Sequence, residues 1–156
     1  MRATTKELST IVEEYAKKFA QFSEEEMTAK SDPKKWSKKE VIGHLTDSGQ
    51  NNLRRFIVGQ YESTPPKIVY EQDFWVSANN YQSMKSKDVI ELWRLVNLQI
   101  CQVLNNMNPD NYSKTCDSGK MQPSVHSLEW LAEDYVKHLK HHLNQIITKS
   151  FDIVYP

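Results

Sequence analysis

Glycine is scarce in this chain: Gly43, Gly49, Gly59 and Gly119 are the only four among 156 residues. Phosphate-cradling glycine loops are excluded with it, since neither G-x-x-x-x-G-K nor G-x-G-x-x-G occurs, and the zincin motif H-E-x-x-H is also missing. Cysteine is scarcer still. Cys101 and Cys116 lack C-x-x-C spacing and read as free thiols of a reducing compartment. No apolar run approaches the roughly 18–20 residues of a membrane span. Neither sign of charge dominates: 20 basic side chains balance 20 acidic ones, for a formal net charge of zero. That balance argues against nucleic acid or an anionic membrane as partner. The opening stretch MRATTKELSTIVEEYAKKF has no uninterrupted apolar core, which predicts no secretory signal. These absences point to a soluble cytoplasmic chain. Its length suits a single domain spanning residues 1–156, able to bury about two-thirds of its extended surface without disulfide staples.

What is present is long helical periodicity between breakers. The prolines sit at Pro33, Pro65, Pro66, Pro109, Pro123 and Pro156. A first helix is expected from about Thr5 to about Lys30, with Leu8, Ile11, Val12, Tyr15, Phe19 and Phe22 as its stripe and Ser31–Asp32–Pro33 as its stop. Ser37 followed by Glu40 has capping-box spacing and predicts a second helix fading near Gln60, with Val41, Ile42, Leu45, Leu53, Phe56 and Ile57 on its apolar face. Tyr61 to Lys85 reads as a crossover loop with one short helix over Gln72–Tyr81. A third helix is expected from about Ser86 to Asn106, stopped by Asn108–Pro109–Asp110. A fourth should run from about Ser127 to about Ser150. No strand-period run competes, and Lys67–Tyr70 is too short to decide. Four helices with one long crossover between helices two and three make an all-α four-helix bundle.

The chemistry concentrates in the last helix. His138 and His142 are four residues apart, hence one turn apart on one face. That face is otherwise apolar: Leu128, Leu131, Tyr135, Leu139, Leu143 and Ile146. Two such histidines are either hydrogen-bonded core-edge groups or metal ligands. His44, in the second helix, lies at the edge of its apolar stripe. Taken alone it is an ordinary flanking histidine; combined with the pair it supplies a third imidazole from a facing helix. Three imidazoles leave a divalent ion with an open position, as catalytic sites do. His141 shares the polar stripe of Asp134, Lys137, Asn144 and Gln145 and reads as solvated. His126 lies about three turns from His138, too far to share an ion.

Asp47, Asp134 and Tyr135 each fall within one turn of a candidate ligand and are candidates for holding an imidazole in place. Each equally suits a helix-surface group, and for Asp47 that is the favoured reading. Cys101 reads as buried packing and Cys116 as incidental in a polar loop. Trp36, Trp75, Trp93 and Trp130 read as core or rim aromatics, and Lys34, Lys35, Lys38 and Lys39 as a solvated face.

Three blocks carry a resemblance. KWSKKEVIGHLTDSGQNNLRRF resembles the second-helix block of the DinB/YfiT-like metalloenzymes, where a tryptophan precedes a helix bearing histidine–leucine and often D-S. EDYVKHLKHHLNQI resembles that family's last-helix block. FWVSANNY resembles its aromatic, asparagine-bearing crossover. The resemblance implies a bundle of up-down-down-up topology with ligand positions at His44, His138 and His142. It implies zinc or nickel, with iron or manganese also fitting, and a frequent homodimer. The nearest look is to the bacillithiol-transferase-like branch. This implies transfer of a low-molecular-weight thiol such as bacillithiol or mycothiol to a small-molecule electrophile. Hydrolysis by the same site is the alternative within the family. A non-catalytic stress-related or interaction bundle with a vestigial site is the alternative outside it.

Overall fold

The computed structural model describes residues 1–155. Four long helices form an up-down-down-up bundle: α1 (Arg2–Phe19), α3 (Lys38–Tyr61), α5 (Ser86–Asn106) and α6 (Leu128–Ile146). Two short helices, α2 (Glu24–Thr28) and α4 (Gln72–Asn79), decorate the connections.

The first helix is shorter at its C-terminal end than its periodicity suggests. It runs from Arg2 and stops at Phe19, because Ser23 and Glu26 form a second capping box that opens α2. The Ser23 side chain accepts from the Glu26 N–H, and the Glu26 carboxylate accepts from the Ser23 N–H at 2.7 Å. The predicted box at Ser37 is present and starts α3, with Glu40 accepting from the Ser37 N–H at 2.8 Å. The third bundle helix has the expected bounds, and the crossover carries α4 and a 3₁₀ turn over Tyr81–Ser83. Ser127 caps α6 by accepting from the Trp130 N–H at 3.1 Å. That helix ends at Ile146, short of Ser150. Ile147 turns extended, and the Asn144 side chain bonds both backbone groups of Phe151, which folds the tail back.

Amphipathic faces meet in one core: Leu8, Val12 and Phe19 of α1, Val89, Trp93 and Ile100 of α5, and Leu131, Leu139 and Leu143 of α6 are all buried. Trp93 packs on Phe19 with ring centroids 5.4 Å apart. Gly59 admits a close approach of α3 to α6, since a Cβ there would lie 2.7 Å from Leu128 Cδ2.

Three elements depart from expectation. A small antiparallel hairpin, β1 (Thr115–Asp117) with β2 (Val125–Ser127), occupies the link before α6. Lys67 of the crossover bridges to Asp117, which ties the crossover to this hairpin. Cys116 is therefore buried in β1, its thiol donating to Pro66 O at 3.0 Å, rather than lying in a polar loop. Lys39 is 1 % exposed rather than solvated. Its ammonium donates to the Glu24 carboxylate, to Gln82 O at 3.3 Å and to Met84 O at 2.8 Å. No helix among the described residues is long and apolar enough to cross a membrane.

Candidate metal centre

The inward face of α3 is polar where a bundle core would ordinarily be apolar. His44, Thr46, Asp47, Ser48, Asn51, Asn52 and Arg55 are all buried. Opposite them runs α6, antiparallel, with steps of four along one helix matching steps of four back along the other. His44 meets His142, with ring centroids 4.6 Å apart, and Ser48 meets His138, Oγ to Nδ1 at 3.5 Å.

This register brings the three predicted histidines together. One ligand atom from each of His44, His138 and His142 lies within 4.8 Å of the other two. The His138 and His142 rings are 4.5 Å apart, and those of His44 and His138 5.4 Å. His44 is fully buried and the other two are half-buried. Both ring nitrogens of His44 are without a hydrogen-bond partner among the described residues.

Burial, with the His142 imidazole adding to it, pushes His44 down to about 3. His138 is held well below the ordinary histidine range by burial first, then by the neighbouring imidazoles and Arg55. His142 is lowered by burial, against the opposing effect of its bond to Gln145. All three rings are therefore neutral near pH 7, the form that offers a lone pair to a metal.

His141 stays outside the cluster. It is half-buried rather than fully solvated, with its ring 5.7 Å from that of Tyr155. His126 is remote as expected, stacked on Trp130 at 3.7 Å.

None of the three candidates for steadying an imidazole is bonded to one. The Tyr135 hydroxyl donates to Asn97 Oδ1 at 2.7 Å. Asp134 accepts from the Tyr155 hydroxyl at 3.1 Å. Asp47 is fully buried, which corrects the expectation of a helix-surface group. Its Oδ1 accepts from the Tyr81 hydroxyl at 2.6 Å and from Asn79 Nδ2 at 3.0 Å, while Oδ2 has no partner among the described residues. Burial raises the Asp47 carboxyl to about 6 despite the Tyr81 bond. Gly43 makes this possible: the Tyr81 ring fills the space a Cβ would need, at 2.1 Å.

The groups that do contact the imidazoles are Ser48 and Gln145, whose Oε1 lies 3.0 Å from His142 Nδ1. Both sit at helical spacings of three or four from a histidine, a signal available in the sequence but common to any polar helix face. Trp36 is a third wall, its ring 4.9 Å from that of His44. Trp36 and Gln145 also line a cleft of about 800 Å³ that includes Glu26, Lys30, Lys35 and Lys38.

The sequence matches the DinB superfamily over residues 7–146. The chain belongs to that family. Among solved structures, its fold is similar to that of YfiT from Bacillus subtilis, described as a probable metal-dependent hydrolase with an unusual four-helix bundle topology. The two share 20% identity with a TM-score of 0.75, over 91% of this chain and 83% of that one. It is also similar to the mycothiol-dependent maleylpyruvate isomerase, at 10% identity and a TM-score of 0.70. There the match covers 90% of this chain but only 58% of the other, so the DinB-like bundle spans a little over half of that enzyme. No curated protein matches the sequence. At these identities the two structures establish the shared bundle, and the family match rests on the sequence itself.

Proposed function

We propose that this chain is a metal-dependent enzyme in which His44, His138 and His142 hold one divalent ion and a small thiol is transferred to an electrophilic small molecule. The observation that carries this reading is the pair of unpartnered, buried nitrogens of His44 beside two further neutral imidazoles. A buried imidazole bonded to nothing is costly, and a cation accepting its lone pair removes that cost. A bundle with a vestigial site would have no such compensation.

The donor set fits a borderline transition metal. Imidazoles suit zinc or nickel, and iron or manganese are compatible. A divalent ion held by three neutral ligands supplies a Lewis acid that lowers the pKa of a thiol or water reaching its open position. The chain's own residues do the rest. Gln145 Oε1 accepts a hydrogen bond from His142 Nδ1–H and so leaves Nε2 for ligation. Trp36 covers His44 and keeps water from that side. Lys30 is paired with Glu40, but Lys35 and Lys38 outnumber Glu26 in the adjoining cleft and leave it attractive to an anion. In the reaction the thiol sulfur forms a bond to the electrophilic carbon, the thiol proton leaves to solvent, and the carbon's leaving group departs with its bonding pair. The likeness to a mycothiol-dependent isomerase supports a thiol as co-substrate.

A second reading, hydrolysis, is favoured by Asp47. A buried carboxyl with a free Oδ2 and a pKa raised to about 6 is suited to take a proton from water. The likeness to YfiT supports it. Elemental analysis followed by assays on metal-loaded protein tests both. Conjugation of bacillithiol, glutathione, coenzyme A or cysteine to a panel of electrophiles, lost in His142→Ala, is the expected result. Ester or amide cleavage with no thiol-dependent turnover would replace the first reading by the second. Absence of metal from protein purified in its presence would overturn both.

A further inference from the structure

The polar face of α3 does not end at the histidines. Asn52 Nδ2 donates to Ser48 O at 3.0 Å and approaches Ser48 Oγ at 3.4 Å. Asn52 Oδ1 in turn accepts from Arg55 Nη1 at 3.2 Å. A continuous line of buried side chains thus leads from the His138 imidazole through Ser48 and Asn52 to the Arg55 guanidinium.

Arg55 is 9 % exposed. Its acceptors are all neutral: Ile68 O takes Nε at 3.1 Å and Nη2 at 2.8 Å, and Asn52 takes Nη1. Three of the five guanidinium N–H donors are used, which leaves two. No carboxylate among the described residues forms an ion pair with it. Asp134 lies close enough for its charge to act on the guanidinium, but it forms no hydrogen bond with it and accepts from the Tyr155 hydroxyl instead. A buried cation with no carboxylate in hydrogen-bond contact is expensive, and arginine cannot shed its proton to escape that cost. A structural clamp on Ile68 O would need only a neutral donor.

We propose that Arg55 is the anchor for a carboxylate of the substrate whose reacting end lies at His44, His138 and His142. The inference rests on that site being where chemistry occurs, and it narrows the substrate class. Ser48 and Arg55 are seven residues apart, about 10 Å along the helix. An arginine side chain leans back toward the helix N-terminus, consistent with its bond to Asn52. The carboxylate and the reacting atom are therefore separated by roughly 5–10 Å, the span of a short chain of carbon atoms. The Tyr155 ring lies beside the His138 end of this line, 5.7 Å from the imidazole.

The test uses the full chain, stripped of metal with phenanthroline so that no carboxylate chelator is present. Acetate, malonate, succinate and glutarate are added at constant ionic strength, with the matching amides as controls. At ten times its dissociation constant, a bound carboxylate raises the Tm of a chain of this size by about 4 °C. The rise is expected with at least one carboxylate, with none of the amides, and not in Arg55→Met. No rise, or an equal rise in Arg55→Met, overturns the proposal. Should Arg55→Met fail to fold, the arginine Nε–Hε resonance that disappears in Arg55→Lys provides the second measurement. It is expected to move on carboxylate addition to the parent protein, and a stationary resonance overturns the proposal. The His138→Ala variant separates this from the metal reading: the carboxylate response survives there if Arg55 is the anchor, whatever becomes of metal binding.

Discussion

Gln145 sits one turn beyond His142 on α6 and holds its imidazole by Nδ1, with Oε1 at 3.0 Å. An amide oxygen can only accept, so with Oε1 facing it the ring donates from Nδ1, which leaves Nε2 as the nitrogen with a free lone pair. Replacing Gln145 by Leu is expected to weaken divalent-metal affinity about tenfold to a hundredfold with the fold unchanged. Competition against a chromophoric chelator reads this directly. An unaltered affinity would mean that packing alone orients His142.

The cluster is selective among neighbours on one helix. His138→Ala is expected to abolish metal binding, whereas His141→Ala, whose ring lies outside the three-histidine group, should leave stoichiometry near one ion per chain. Metal content after gel filtration distinguishes them, and equal loss in both variants would refute the assignment.

The bundle is expected to hold without metal. Its apolar core is contributed by all four long helices, and strict dependence on zinc belongs to much smaller domains. Chelation should lower the Tm by a few degrees and leave the helical circular dichroism intact. Collapse of the helical signal would show that the ion is structural.

Asp47 should reveal itself through pH. Its pKa is raised from 3.8 to about 6, so the folded state binds the proton more tightly than the unfolded chain. That contribution is complete below about pH 3.8 and lost as pH rises through 6. Above pH 6 a buried carboxylate costs up to about 3 kcal/mol. Asp47→Asn keeps an acceptor for Tyr81 and is expected to be more stable than the parent at pH 8, with the advantage vanishing near pH 4. The histidines act oppositely. His44, depressed from 6.5 to about 3, contributes stability that is full above pH 6.5 and declines on acidification toward 3. Urea titrations of both proteins across this range check the difference. A gap independent of pH would mean that the carboxyl charge is not its cause.

Some of this arrangement is legible in the amino-acid sequence. Ser37–Glu40 announces α3 because a capping box is local chemistry. The His138–His142 spacing places both rings on one face because helical phase is local too. The register that brings His44 to them is not local; it depends on α3 and α6 packing antiparallel with Gly59 against Leu128. Phase alone also misplaces Asp47, because what buries it is Tyr81 and Asn79 from a crossover far along the chain. The hairpin is invisible for a related reason. Each strand is three residues of mixed polarity, and their pairing is closed by Asp117 accepting from Gly119 and Ser124 rather than by alternation. The early end of α1 is legible in principle, since Ser23–Glu26 repeats the pattern read at Ser37, but the apolar stripe runs on through Phe22 and masks it.

The buried ammonium of Lys39 joins three stretches that are otherwise separate: α2 through Glu24, the end of the crossover through Gln82 and Met84, and the start of α5, whose Ser86 N–H donates to the same Glu24 at 3.2 Å. Opening α2 or the end of the crossover alone removes a partner from that cation, and the start of α5 is held to the same set through Glu24. Their amide hydrogens should therefore exchange with solvent as a single cooperative unit, at a rate set by one shared opening event rather than by three independent frayings. The crossover that carries Tyr81 to Asp47 is thus tethered, some forty residues upstream in sequence, by a lysine at the foot of the helix that also bears His44.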